Sequence, residues 1–202
     1  MAVLKHIKSR NANYSDALEY LLFQHDEKSG KVIYDDLGRK LLREEYYMNG
    51  LNCEPMAFDL ECKRTNAIFH KNQNQKDIKS HHYIISFDPK DAVECGLTGQ
   101  RAQELSMELT RKIFPGYQAL VVTHTDGGNH SGNIHTHIVI NSVRKYDAPR
   151  EDYMTQPGDH KAGRKHRSTN KFLEHFKKEV MEMCEREGLH QIDLLSPAPE
   201  KV

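Results

Sequence analysis

The sequence contains no tryptophan, and only four of its 202 residues are cysteine. The cysteines form no CxxC pair, so they are expected to be reduced thiols in a cytoplasmic protein. No apolar run approaches the roughly 20 residues of a membrane-spanning helix, and charges interrupt the short apolar stretch at the N-terminus. The sequence therefore predicts neither a membrane segment nor a secretory signal.

An excess of charge is also lacking, because 29 Lys and Arg balance 29 Asp and Glu. This balance argues against a protein that binds nucleic acid through net charge. The charges are unevenly placed, however, and His160–Lys178 holds seven basic residues against one acid, Glu174. Such a run is typical of a solvated surface, but beside a metal site it would equally suit a phosphate backbone. The candidate contacts to that backbone are Lys5, Lys8, Arg10, Arg164, Lys165 and Arg167.

Histidine is plentiful, and three histidines follow a pattern that neighbouring strands would bring together. An apolar run, Ala119–Thr123, places His124 at its end, and Asn133–Val143 then alternates with the period of two of a strand. On this second strand His135 and His137 face one side, while apolar residues face the other. Together with His124 they would form a site for one divalent ion, with coordination positions left open for a substrate.

The loop between these two strands adds one carboxylate, Asp126, and a fourth histidine, His130. Asp126 could bind the ion, orient a ligating histidine or cap the loop, and the role of orienting group or general base fits best. His130 could be a further ligand, although simple exposure to solvent is the plainer expectation. An ion held by neutral imidazoles keeps its positive charge and can polarise a phosphoryl oxygen. Hydrolysis would then need an activated water, whereas transesterification would need a nucleophile from the protein.

A short helix near the N-terminus offers a candidate nucleophile. Ser15 is expected to cap a helix over about Asp16–Gln24, whose leucines lie on one face. Tyr20 lies roughly 160° around the helix from Leu22, so it points away from the buried stripe. The alternatives are Tyr46 and Tyr47 near an expected turn at Asn49-Gly50, followed by Tyr14 and Tyr34.

The predicted order of elements is β, α, hairpin, α, β, α, β, β, α. The strands that carry the histidines should pair antiparallel, since a short loop joins them. We expect an α/β sandwich, in which helices cover one face of a five-stranded antiparallel sheet and the metal site lies on the open face. Residues 1–193 would form this domain, and residues 194–202, which contain proline, would begin a linker to a further C-terminal region.

The spacing of these residues resembles the signature of the HUH endonucleases, in which two histidines flank one residue. It is similar more narrowly to the mobilisation relaxases of conjugative elements, the P-type group. Their third motif reads H-x-D, a loop and then N-x-H-x-H-x-x-x-N. The residues that match are His124, Asp126, Asn133, His135, His137 and Asn141. Ser15–Tyr20 also resembles their first motif, with its tyrosine, and His81–Phe87 followed by a helix resembles the second.

This resemblance implies a function as well as a fold. Such an enzyme binds single-stranded or extruded DNA at an origin of transfer, usually with a hairpin, and a tyrosine attacks the scissile phosphate. Tyr20 holds the position of that tyrosine, and the adduct is a 5′-phosphotyrosine. The family uses Mn²⁺ or Mg²⁺, although three imidazoles also suit Zn²⁺. The resemblance further implies a bacterial cytoplasmic protein that works with a relaxosome accessory protein and a type IV secretion coupling protein.

Three other functions remain compatible with the sequence. A rolling-circle replication initiator shares the chemistry but acts on a replication origin. A metal-dependent phosphodiesterase would cleave without a covalent intermediate, so it would not need Tyr20. A DNA-binding module that uses the ion only for stability would cleave nothing.

Overall fold

Strand β5 lies at the centre of the structure, which is a computed structural model that describes residues 3–26, 28–126, 132–190 and 193–196. The strands within these ranges are β1 Val3–Ser9, β2 Tyr46–Leu51, β3 Ser80–Ser86, β4 Ala119–His124 and β5 His135–Asn141. The α-helices are α1 Ser15–Leu22, α2 Phe58–Ile68, α3 Pro89–Glu94, α4 Gly99–Ile113 and α5 Asn170–Arg186. A short 3-10 helix, Pro55–Ala57, precedes α2. No helix in the described ranges is both long enough and apolar enough to cross a membrane.

The five strands form one sheet in the order β1-β3-β5-β4-β2, and every neighbouring pair is antiparallel. The predicted antiparallel sheet is therefore confirmed. The sequence predicts a turn at Asn49-Gly50, but both residues lie inside strand β2 and form no turn. Glycine is required at position 50 because a Cβ there would collide with the carbonyl of Cys53. Asn49 also accepts a hydrogen bond from Gln103 of α4, which fixes it in the strand.

Helices cover both faces of the sheet. On one face, α4 and α5 pack over the main core, which contains Tyr83, Ile85, Ile138, Ile140, Phe172 and Phe176. On the other face, α1 and α2 form a smaller core over the strands that carry the histidines, and this core contains Leu21, Phe58, Cys62, Leu120, Val122 and Val139. The expectation that this face is open is therefore wrong, since two helices cover part of it. At the histidine end, His124 and His137 are buried and His135 is partly exposed.

The capping of α4 and α5 follows the sequence, whereas that of α1 does not. Thr98 and Thr169, residue types typical of an N-cap, accept hydrogen bonds from the first turns of α4 and α5. At α1 the N-cap residue is Tyr14, and its side chain makes no capping bond. Asn13 instead accepts the Ser15 N–H, and Asp59 of α2 accepts the Tyr14 N–H.

Several apolar residues in α2 and just before it are exposed. Met56, Leu60 and Ile68 are 65%, 71% and 62% exposed. The buried residues of this helix are Phe58, Cys62, Thr65 and Asn66. Leu60 lies two residues from both Phe58 and Cys62, or roughly 160° around the helix, so it points away from the core when those residues are buried.

The predicted hairpin after α1 is irregular and is held by isolated bridges. Phe23 pairs with Leu42, His25 with Val32, and Tyr34 with Lys40. Two predicted features lie outside the described residues: the loop at 127–131, which contains His130, and most of the expected linker, residues 197–202.

Candidate metal centre

Three imidazoles converge at one end of β4 and β5, as the sequence predicts. The register pairs His124, the last residue of β4, with His135, the first residue of β5, and His137 follows on the same face. The ring centroids lie 4.9 to 5.2 Å apart. One ring nitrogen of each residue lies within 4.8 Å of the other two. This spacing suits a single ion between the three rings.

Two of the rings are oriented by backbone carbonyls. His124 donates from Nε2 to the Leu21 carbonyl at 2.7 Å, and His135 donates from Nδ1 to the Asn133 carbonyl at 3.2 Å. Because a carbonyl only accepts, these nitrogens carry the protons, and the lone pairs lie on Nδ1 of His124 and Nε2 of His135. Nδ1 of His124 is buried and has no hydrogen-bond partner among the described residues. A buried lone pair without a partner is expected where a metal ion binds.

The third ring is oriented by a fourth histidine, His82 of β3. Its Nε2 lies 2.8 Å from Nδ1 of His137, and the two rings are 5.0 Å apart. If His137 donates in this pair, its Nε2 keeps the lone pair that an ion needs. His82 then supports His137 from behind, as outer-shell groups support metal-binding histidines in general. The sequence shows His82 on a strand face but gives no sign that it contacts His137.

The site keeps its imidazoles neutral. Burial, together with the nearby charge of Arg43, lowers the pKa of His124 to about 4. Burial also lowers the pKa of His135 and holds that of His137 well below the usual value. Neutral imidazoles can donate lone pairs near pH 7, so the donor set fits a divalent ion. Three nitrogen ligands suit Zn²⁺ or Mn²⁺, and the geometry does not distinguish the ions.

Tyr20 stands beside this cluster. Its side chain is 50% exposed, and its ring lies 6.4 Å from the ring of His137 in an edge-to-face arrangement. The helix that carries it is tied to β5, because the buried Tyr14 hydroxyl contacts Asn141 at 3.1 Å and donates to the Lys79 carbonyl at 2.9 Å. Asn141, the last residue of the sequence motif, thus helps to fix α1 and Tyr20 over the histidines.

The other tyrosines are placed less favourably. Tyr14 is buried, its hydroxyl is fully engaged, and burial raises its pKa. Tyr47 faces the opposite side of the sheet, where it packs against Gly99 of α4. Tyr46 pairs with His124 across the β2–β4 ladder and shares the histidine face, so it is the nearest alternative to Tyr20.

Asp126 pairs with an arginine. Its carboxylate accepts a hydrogen bond from Arg43 at 2.6 Å, and the two side chains are 52% and 14% exposed. The bonds that orient the three rings go to Leu21, Asn133 and His82, so among the described residues Asp126 does not orient a ligand as expected. Nε of Arg43 is buried and has no hydrogen-bond partner within the described ranges. No local pattern in the sequence selects Arg43.

His25 is a further group that the sequence did not single out. Its ring lies 5.1 Å from the ring of Tyr20. Its Nδ1 donates to the Phe23 carbonyl at 2.9 Å, which leaves the lone pair on Nε2. A basic nitrogen is thus available near the phenol.

The basic residues proposed for DNA contact are dispersed. Lys5 lies on the histidine face of β1, whereas Lys8 lies on the opposite face and Arg10 bonds to the Lys76 carbonyl. The second basic group, which comprises Arg164, Lys165 and Arg167, lies near Val143. Val143 is six residues beyond His137, which is about 20 Å along an extended strand. Lys165 and Arg167 are also paired with Asp77 and Asp159. The structure therefore does not bring the second basic group to the histidines.

Fold and site together define a class of domain. In this class, helices cover an antiparallel sheet, and two adjacent strands carry a three-imidazole centre beside an exposed tyrosine. A family model described as "Relaxase: MobA/VirD2-like, nuclease domain" matches residues 33–189. The chain belongs to this family.

Curated relatives agree with this assignment. Two proteins from Staphylococcus aureus, each named "Protein rlx", are 33% and 30% identical over 141 residues, or 70% of this chain. The chain spans 36% of the length of either relative. A solved structure described as "Molecular Basis of Vancomycin Resistance Transfer in Staphylococcus aureus" aligns over 94% of this chain and 95% of its own, with 12% identity and a TM-score of 0.49.

Proposed function

We propose that this chain is the nicking domain of a DNA relaxase, which cuts one strand at an origin of transfer and stays attached to the 5′ end through Tyr20. The observation that carries the proposal is the half-exposed Tyr20 ring, 6.4 Å from a histidine cluster whose remaining ring nitrogens point to a common centre. The family assignment supplies the substrate class. The narrower P-type subgroup is part of the same proposal.

The residues that would hold the ion are His124, His135 and His137. A divalent ion there, Mn²⁺, Mg²⁺ or Zn²⁺, would supply positive charge to the oxygens of the scissile phosphate. The protein sets the geometry of this site through Leu21, Asn133 and His82, which orient the three rings before DNA binds.

Tyr20 carries out the bond exchange. Its oxygen forms a bond to phosphorus while the bond from phosphorus to the 3′ oxygen of the preceding nucleotide breaks. Nε2 of His25 accepts the phenolic proton, and the leaving 3′ oxygen takes a proton from solvent water to end as a free hydroxyl. His25 then returns its proton to solvent, so the step has no net change in protons. One phosphate ester bond replaces another, so the number of phosphodiester bonds does not change. The step is therefore reversible and permits religation.

Arg43 would contact the phosphate from the side of β2. It is a partly buried cation whose charge lowers the pKa of all three histidines. Its Nε, which has no hydrogen-bond partner among the residues that the structure describes, offers one donor. An anionic phosphate could also compete with Asp126 for the rest of the guanidinium. Asp126 would then hold Arg43 in place until DNA arrives.

The DNA path is proposed from two clefts beside the cluster. One has a volume of about 260 Å³ and lies between β1 and α1, where Tyr20 and His82 line it. The other has a volume of about 280 Å³ and contains His25, Arg43 and Asp126. We propose Lys5 as a backbone contact beside the cluster. Contacts from Lys8, Arg10, Arg164, Lys165 and Arg167 are proposed only for a strand that continues to the far end of the sheet. Accessory and coupling proteins, and a cytoplasmic location, belong to the same proposal.

The test uses labelled single-stranded oligonucleotides from the element's transfer origin, incubated with the chain and Mn²⁺. We expect a denaturation-resistant adduct between the protein and the 3′ portion of the oligonucleotide, and a released 5′ portion that ends in a 3′-hydroxyl. Tyr20→Phe should abolish the adduct, while Tyr46→Phe and the solvent-exposed control Tyr34→Phe should retain it. Cleavage without any adduct would show a hydrolase, and an adduct that survives Tyr20→Phe would refute the assigned nucleophile.

A further inference from the structure

A second group of metal-binding side chains joins α3 to the segment after α5. Asp91 lies in α3, Cys95 is the residue at its C-cap, and His190 lies two residues after Gly188. One ligand atom from each lies within 4.8 Å of the other two. None of these residues belongs to the elements that carry the three-imidazole centre.

The distances among these atoms are close to those of a tetrahedral ion. The Cys95 sulfur lies 3.7 Å from Nδ1 of His190 and 3.8 Å from Oδ1 of Asp91. An ion with bonds of about 2.0 to 2.3 Å separates its tetrahedral ligands by about 3.3 to 3.6 Å. Nδ1 of His190 and Oδ1 of Asp91 are 2.7 Å apart as a hydrogen bond, so they would need to separate by roughly 0.6 Å.

The groups behind these atoms resemble the outer shell of a metal site. Nε2 of His190 lies 2.9 Å from a carboxylate oxygen of Glu94, which fixes the ring with Nδ1 toward Cys95. A carboxylate on the far nitrogen is the usual support of a metal-binding histidine. The second oxygen of Asp91 accepts the Asp88 N–H at 3.0 Å, so only Oδ1 faces the cluster.

Rigid neighbours hold the cluster in place. Asp91 is fully buried, and its Oδ1 also accepts the backbone N–H of His190 at 2.8 Å. Leu97 and Leu189, each next to the cluster in sequence, are buried in the main core. Cys95 is exposed, so an ion can enter from solvent. The ligands are therefore arranged before any ion binds.

We propose that Asp91, Cys95 and His190 form a second metal site, selective for Zn²⁺ and completed by a water, which clips the end of α5 to α3. The mixed nitrogen, sulfur and oxygen set favours a borderline ion over Mg²⁺ or Mn²⁺. Binding would release the thiol proton of Cys95 and displace the proton between His190 and Asp91, with no change of oxidation state.

Cobalt substitution distinguishes this site from the histidine cluster, because only this one contains sulfur. Titration of metal-free chain with Co²⁺ should produce a thiolate-to-cobalt charge-transfer band that saturates at one thiolate-bound ion per chain. Zn²⁺ should displace the cobalt and remove the band. Absence of the band at saturating Co²⁺ in the unmodified chain would overturn the proposal, and the hydrogen-bonded clip would then be structural only.

Variants assign the ligands. Cys95→Ser and His190→Asn should each lose the band, whereas the control Cys53→Ser should keep it, since the Cys53 thiol bonds to the Ala119 carbonyl in another part of the fold. Glu94→Gln should weaken Co²⁺ binding by about 10- to 100-fold. A band that survives Cys95→Ser or is lost in Cys53→Ser would contradict the assignment.

Discussion

Removal of the imidazole behind His137 tests whether the protein, and not only the three ligands, sets the affinity of the metal centre. His82 contacts Nδ1 of His137 at 2.8 Å, and both side chains are largely buried. Without this partner the His137 ring loses its orientation and the acceptor for its proton. Loss of such an outer-shell partner lowers metal affinity by about 10- to 100-fold, or about 1.4 to 2.7 kcal/mol. We expect that loss for His82→Phe, and a smaller one for His82→Ala if water enters the space.

The assay is a titration with Mn²⁺, in which the electron paramagnetic resonance signal of the free ion gives the dissociation constant. The chain supplies a matched control, because His6 and His81 form a similar pair at 3.0 Å, and their side chains face the other side of the sheet. His6→Ala should leave Mn²⁺ affinity unchanged. An affinity of His82→Phe within twofold of the unmodified chain, with its secondary structure intact, would refute the reasoning.

Three further predictions concern stability, pH and the arginine. Tyr14→Phe should lower the free energy of unfolding in urea by about 1 to 3 kcal/mol, because Lys79, Asn66 and Asn141 lose a buried partner; a change below about 0.5 kcal/mol would contradict this. Burial lowers the pKa of His81 to about 3, whereas its value in the unfolded chain is near 6.5. With a chelator present to remove metal ions, the free energy of unfolding should therefore fall as the pH drops from about 6.5 toward 4. His81→Asn should make that slope shallower, and an identical slope would argue against the buried neutral ring. Arg43→Lys should slow cleavage at saturating DNA by about 100-fold while Mn²⁺ affinity is kept, and an unchanged single-turnover rate would exclude a phosphate contact.

The parts of the fold that were predictable have strong local periodicity. Strands β3 and β5 alternate cleanly, and α4 and α5 combine a threonine cap with apolar residues at helical spacing. Strand β2 was missed because Asn49-Gly50 is typical of a turn, and only the contacts with Cys53 and Gln103 explain the pair within a strand. The buried face of α2 was missed because it includes the polar residues Thr65 and Asn66, while Leu60 and Ile68 are exposed.

The same division holds for the candidate site. His124, His135 and His137 could be selected because strand periodicity places two of them on one face and a short loop returns the chain to the third. The partners that orient them come from β3 and from backbone carbonyls, which carry no local signal in the sequence. Arg43 and His25 belong to an irregular segment, and only its fold against α1 brings them beside Tyr20.

The central claim is that three imidazoles hold one ion within reach of Tyr20. Anomalous diffraction from crystals grown with Mn²⁺ measures this directly, since it locates the ion without reference to activity. We expect one peak within bonding distance of Nδ1 of His124 and Nε2 of His135 and His137, on the side that faces the Tyr20 hydroxyl. A peak held by Asp126 in place of any of these nitrogens, or no peak at the cluster in fully loaded crystals, would contradict the account.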